Sequence, residues 1–234
     1  MNFEEGEILL FDKPYGWTSF QLVNKVKFMI KKKTGLKKIK VGHAGTLDPL
    51  ASGLLIVCTG RKTKQITAIQ DRPKEYIANI ELGRTTPSFD QETETDAVFP
   101  FNHITDNLLN EKIAGMVGET DQVPPVFSAK FINGKRAYEY ARAGKEVEMK
   151  ASRVRIDYSE LMENTMPHIV VKIGCSKGTY IRSYARDLGL ALQSGGCLTG
   201  LRRTAIGEFS VDKALTIDDF NNILDNCNIN ISNS

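Results

Sequence analysis

The chain holds four cysteines, three histidines and one tryptophan in 234 residues, and no acidic residue between Asp12 and Asp48. Each scarcity excludes something. Cys58, Cys175, Cys197 and Cys227 lie far apart and form no CxxC, so they read as reduced packing cysteines and not as a disulfide framework. His43, His103 and His168 are equally scattered, and no metal site is predicted. No apolar run approaches the roughly 20 residues of a membrane span. Glu4, Glu5 and Glu7 stand where a signal peptide would be basic, so a cytoplasmic protein with no membrane contact is expected. A Rossmann fingerprint and a P-loop are missing as well, which removes the commonest nucleotide-cofactor enzymes.

What is present is ordinary in amount and uneven in distribution. Apolar residues make up 41% and charged residues 25%, the composition of a globular protein with one main domain. The net charge is only +3, yet nine lysines occupy the acid-free stretch after Asp12. Across residues 85–121, by contrast, eight acids face a single Lys112. A run of cations beside a candidate active loop predicts a polyanionic substrate, because each phosphate contact releases bound counterions.

That loop is Gly42-His43-Ala44-Gly45-Thr46-Leu47-Asp48-Pro49-Leu50-Ala51-Ser52-Gly53. Its glycines permit sharp turns, Pro49 fixes the chain just after the acid, and Leu54-Leu55-Ile56-Val57-Cys58 reads as a buried strand. Asp48 is thus a carboxylate on rigid support in basic surroundings.

Along the rest of the chain, Glu7–Phe11 predicts a strand. Thr18-Ser19-Phe20-Gln21 fits a capping box, followed by a helix with Leu22, Val23, Val26, Met29 and Ile30 on one face and lysines on the other. A short helix over 63–69 and a strand over 76–82 come next. Residues 84–104, polar and carrying Pro87 and Pro100, read as a surface excursion, and 105–117 as a helix. Pro124-Pro125 and the turn at Asn133-Gly134 mark a protruding connection, before strands near 153–162 and 168–175 and a helix from about Thr179. A frayed tail is expected from Asn226. Strands and helices intermix without regular βαβ alternation, so the fold class is α+β.

Four blocks, in order, resemble the TruB-type tRNA pseudouridine synthases. They are Lys13-Pro14-Tyr15-Gly16-Trp17-Thr18-Ser19; the Gly42–Gly53 loop; Gln122-Val123-Pro124-Pro125 with Ser128-Ala129-Lys130 and Gly134-Lys135-Arg136-Ala137-Tyr138; and Ser176-Lys177-Gly178-Thr179-Tyr180-Ile181-Arg182-Ser183 with Leu201-Arg202-Arg203-Thr204. The resemblance implies the pseudouridine synthase fold, a large mixed, mostly antiparallel sheet flanked by helices. It implies a catalytic domain over 1–210 with an RNA-contacting insertion at about 121–151. Residues 211–234 are expected to hold a short helix and tail, the family's full PUA-type domain being absent.

It also implies the activity: isomerisation of uridine to pseudouridine in the T-loop of tRNA, at position 55, after the base is flipped out. Such an isomerisation involves no redox change and needs no cofactor or metal. It does need a carboxylate, as nucleophile or as base, and Asp48 is the candidate. The sequence leaves open which role it takes, and whether attack falls on ribose C1′ or uracil C6. By the resemblance, Arg182 is the cation beside it, Tyr76 stacks on the base, Tyr180 lines the pocket, Leu201 closes it, and His43 supports the rearranged T-loop. Lys13, Lys64, Lys130 and Arg136 are expected to grip the RNA backbone. The implied partner is the tRNA T-arm, for a monomer with no obligatory protein partner. The competing readings are a non-catalytic RNA-folding protein, a guide-RNA-dependent synthase, and a glycoside hydrolase, which would need a second carboxylate across the bond.

Overall fold

A computed structural model describes residues 1–226 apart from 129, 133 and 146. The expected tail beyond Asn226, Cys227 and the Asn133 half of the predicted turn lie outside the described residues. The chain runs β1 (Ile8–Lys13), α1 (Ser19–Thr34), β2 (Val41–His43), β3 (Ala51–Thr59), a 3₁₀ turn (Gly60–Gln65), α2 (Ile66–Gln70), β4 (Lys74–Leu82), β5 (Arg84–Thr85) and β6 (Ala97–Val98). It continues through α3 (Asp106–Gly115), β7 (Gly118–Gln122), β8 (Phe131–Ile132), β9 (Lys135–Arg136), α4 (Ala137–Arg142), β10 (Ser152–Thr165) and β11 (His168–Cys175). Last come α5 (Ile181–Ala191), β12 (Gly196–Ile206), β13 (Phe209–Ser210) and α6 (Ile217–Asn226). The main sheet has the strand order β1-β3-β12-β4-β11-β10-β7, with β2 added to β3 and β13 to β12. This is the α+β architecture the sequence predicts. The chain divides into two compact units, Met1–Glu75 with Arg202 onward, and Tyr76–Leu201.

In the first unit the Leu54–Cys58 stretch of β3 is apolar without a break because both its faces are covered. Leu55 and Val57 enter one cluster with Phe11, Leu22, Val26, Ile30, Phe220 and Leu224, while Leu54, Ile56 and Cys58 enter another with Ala44, Ile69 and Ile206. Each such side chain contributes about 1.5–3 kcal/mol by leaving water. Helix α1 begins at the expected capping box, with Gln21 N donating to Thr18 Oγ1 at 3.1 Å and Thr18 N to Gln21 Oε1 at 2.8 Å. Its buried side is the predicted one, and Lys31, Lys32 and Lys33 fall in the last turn, where they complement the helix dipole.

In the second unit β10 pairs antiparallel with β11 on one side and with β7 on the other. Ile169, Val171 and Ile173 of β11 turn inward, with Tyr184, Ala185 and Leu188 of α5 also buried. The β8–β9 hairpin and α4 fall within residues 121–151. Residues 84–104 are mostly exposed or partly exposed, as a surface excursion should be, with a buried exception at its start. Thr86, Ser88 and Asp90 are buried, because their polar groups bond one another and the Asp90 carbonyl, which accepts from Thr86 Oγ1 at 2.6 Å and Ser88 Oγ at 3.2 Å. Among the described residues no helix is long and apolar enough to cross a membrane.

Candidate active site

In the first unit, β2 and β3 pair from Val41↔Thr59 to His43↔Val57, so the chain between them must fold back as a loop, and Asp48 sits in it. The loop is held from several sides. Ala44 N donates to Ile56 O at 2.8 Å, and Gly16 N to Pro49 O at 2.8 Å. Leu47 N donates to Ser19 Oγ at 2.9 Å, which donates back to Leu47 O at 3.0 Å. Arg203 of β12, 1% exposed, is the deepest brace. Its Nε donates to Leu54 O at 2.8 Å, its Nη2 to Gly45 O at 3.0 Å and its Nη1 to Thr46 O at 3.5 Å. One planar guanidinium, with donors fixed in direction, thereby ties the loop to the strand that follows it.

Gly53, early in that strand, has φ +100°, and a Cβ there would run into the Arg203 backbone. Only glycine fits both constraints.

Lys13 differs from the expected surface grip. Strand alternation in β1 turns Leu9, Phe11 and Lys13 to one face, so Lys13 is fully buried. Its Nζ donates to Trp17 O at 2.6 Å and Pro14 O at 3.0 Å. Burial pushes its pKa down to about 8, against the pull of the Asp48 carboxylate and with a further push from Arg203. Lys13 is therefore an internal cation near Asp48. Burial also holds the His43 imidazole below its ordinary pKa, and the Arg203 charge adds to this. Asp12, next to Lys13, takes a bidentate pair from Arg202 at 3.0 and 2.7 Å. Lys64 sits apart from the loop, on a cavity of about 280 Å³ with Lys38, Lys40, Arg61 and Thr63.

The second unit carries Tyr76, Tyr180, Arg182, Leu201, Lys130 and Arg136. Arg182 on α5 is 5% exposed, and its Nη1 lies 3.5 Å from Asp90 Oδ2. Tyr180, at the start of that helix, is held by the side-chain amide of Gln122, whose Oε1 accepts from Tyr180 N at 2.8 Å while Nε2 donates to Tyr180 O at 3.1 Å. Tyr76 in β4 is 8% exposed, and Leu201 in β12 is half-buried. Lys130 donates to Ser152 Oγ at 2.7 Å and Lys150 O at 3.1 Å, which commits its ammonium within the insertion. The Arg136 guanidinium lies 4.0 Å from the Phe131 ring centroid.

Sequence reasoning missed roles for Arg203, Asp90 and Gln122. Arg203 and Gln122 stand inside the family-like motifs, but nothing local distinguishes a buried strand arginine or a bridging glutamine from surface ones. Asp90 is one acid in a run of acids.

Two family models match the chain. That of the TruB family pseudouridylate synthase N-terminal domain covers residues 31–181, and that of the tRNA pseudouridylate synthase B C-terminal domain covers 182–229. The chain belongs to the TruB family. It is 54% identical over 225 residues to a tRNA pseudouridine synthase B of Phocaeicola vulgatus, covering 96% of each chain. To the protein of the same name from Parabacteroides distasonis it is 56% identical over 223 residues, covering 94% of this chain and 95% of the other. Among solved structures, a chain of a Cbf5-Nop10-Gar1 complex superimposes with a TM-score of 0.69 at 27% identity, over 94% of this chain. This TruB-family chain spans 54% of the length of that neighbour. The likeness agrees with the expected pseudouridine synthase fold.

Proposed function

We propose that this enzyme converts the T-loop uridine at position 55 of tRNA to pseudouridine, with the Asp48 carboxylate carrying the chemistry. The coarser statement follows from the family: the chain is a tRNA pseudouridine synthase, an isomerase. In the reaction the N1–C1′ glycosidic bond breaks, the uracil turns, a C5–C1′ bond forms, the C5 proton leaves and N1 takes up a proton. Atoms balance with nothing added, so no redox group or metal is required.

The observation that carries the reading is the bracing of the Asp48 loop by Arg203, Ser19 and the Gly16 amide, with the Lys13 ammonium near enough to interact with the carboxylate. A preorganised anion beside a neighbouring positive charge need not reorganise as the bond breaks. By the family resemblance, Arg182, paired with Asp90, supplies a permanent cation, Tyr76 an aromatic face for the flipped base, and Tyr180 and Leu201 the pocket wall. His43, neutral at pH 7, supports the T-loop. Lys64 and Arg136 contact phosphates, and Lys130 acts from within the insertion. Asp12 is occupied by Arg202, which disfavours it as the second carboxylate of a hydrolase. The enzyme works as a cytoplasmic monomer without a protein partner.

The test is Asp48→Asn on unmodified tRNA transcript. The variant should bind tRNA like wild type and form no pseudouridine. Free uracil from the wild type would indicate a hydrolase instead. Tight binding with no product from either protein would favour the RNA-folding reading.

A further inference from the structure

The solvent side of α1 is unlike an ordinary charged helix face. Phe20 is 69% exposed and Phe28 61%, and Tyr15 in the turn before the helix is 60% exposed. At about 100° per residue, Phe20, Asn24, Lys27, Phe28, Lys31 and Lys32 fall on one broad stripe, opposite Leu22, Val26, Met29 and Ile30. The two phenylalanines stand about 12 Å apart along the axis. No acid between Asp12 and Asp48 neutralises the lysines among them. The stripe starts one residue after Ser19, whose hydroxyl is bonded to Leu47 next to Asp48. Large rings left in water next to like charges cost solubility and do nothing for the core, which the opposite face of α1 already fills.

We propose that this face binds an unpaired RNA segment outside the reacting loop, its bases stacking on Phe20 and Phe28 and its phosphates meeting Lys27, Lys31 and Lys32. Charge complementarity selects a polyanion. The interleaved rings select one whose bases are free to stack, since a duplex hides its base faces and an acidic peptide offers few flat rings. The inference rests on the reading of the chain as an RNA enzyme, but uses none of the residues assigned to its chemistry.

The test uses the full chain, a fluorescein-labelled oligouridylate of 12 nucleotides, a 12-base-pair RNA duplex and poly-glutamate, with binding followed by anisotropy at several salt concentrations. Wild type should prefer the oligouridylate. The double variant Phe20→Ser, Phe28→Ser should lose about thirtyfold or more in oligouridylate affinity at unchanged salt slope, with duplex binding unaltered. Phe20→Tyr, Phe28→Tyr should restore it. Neutralising Lys27, Lys31 and Lys32 to Gln should lower the salt slope by about 2, at about 0.7 per phosphate. Equal binding of the oligouridylate by wild type and the serine variant would overturn the proposal, as would preference for the duplex or for poly-glutamate. Pseudouridine formation on a T-arm stem-loop, measured on the same proteins, separates this failure from failure of the catalytic reading. An active enzyme with ring-independent oligouridylate binding refutes only the stacking face.

Discussion

Arg182 and Asp90 form an ion pair at 3.5 Å with their side chains only 5% and 7% exposed. The carboxylate reaches this depth because its own loop is fixed: Leu198 N donates to Phe89 O at 2.9 Å, and Glu92 N to Asp90 Oδ1 at 2.9 Å. Removing one member of a buried pair withdraws compensating charge from the other. Asp90→Ala should therefore lose about 3–5 kcal/mol in urea unfolding and lower the single-turnover rate more than tRNA affinity. An unchanged urea midpoint would mean that Arg182 is satisfied without it.

Arg203 makes a different demand. Lysine has no fork and cannot serve Leu54, Gly45 and Thr46 together, so Arg203→Lys should cost about 2–4 kcal/mol, that is, two or three hydrogen bonds to a charged donor less what the ammonium recovers. With the loop loosened, kcat should fall at nearly constant Kd for tRNA. Gly53→Ala combines backbone overlap with a left-handed φ and should yield little soluble folded protein.

Lys13 sets a pH dependence whose sign is fixed by its lowered pKa. In the unfolded chain it keeps its proton to about 10.5, but in the folded protein only to about 8. Its burial penalty is fully present below pH 8 and relieved between about 8 and 10.5, where the unfolded state binds more protons. The stability difference between wild type and Lys13→Met, from denaturant unfolding at pH 7, 8, 9 and 10, should shift in favour of wild type as pH rises. A flat difference would contradict the buried cation.

Gln122 is 3% exposed and joins the end of β7 to the start of α5 through Tyr180. Gln122→Ala should cost about 1–3 kcal/mol by leaving a buried backbone N–H without its partner. Because Tyr180 is the proposed pocket wall, KM for tRNA should rise with it. Steady-state kinetics on a T-arm stem-loop would check this, and an unchanged KM would separate the helix start from substrate binding.

Local chemistry made much of the fold readable in advance. The capping box, the apolar run within β3 and the β-branched residues of β11 are properties of neighbouring residues, and α1, β4, β10 and β11 appeared within a few residues of where their patterns placed them. The candidate loop was readable for the same reason, its glycines and Pro49 specifying a bend around one carboxylate. Lys13 was misplaced because a lysine carries a strong surface prior, which the period-two alternation of β1 overrides. Within the surface excursion at 84–104, the burial of Thr86, Ser88 and Asp90 was not legible, because polarity suggests exposure whereas these hydroxyls bond the Asp90 carbonyl.

By itself, then, the sequence determined the α+β class, the first strand and the capped helix after it, a carboxylate on a glycine-rich loop in basic surroundings and a helix face carrying lysines, since all of these follow from spacing within a few tens of residues. Tertiary structure alone decided that Arg203 would brace the loop from a strand position 149 residues beyond Leu54, that Asp90 would meet Arg182, and that Lys13 would be dry. Those outcomes depend on which strands pair and which faces are covered, and the cost of burying a charge is known only once its neighbours are in place.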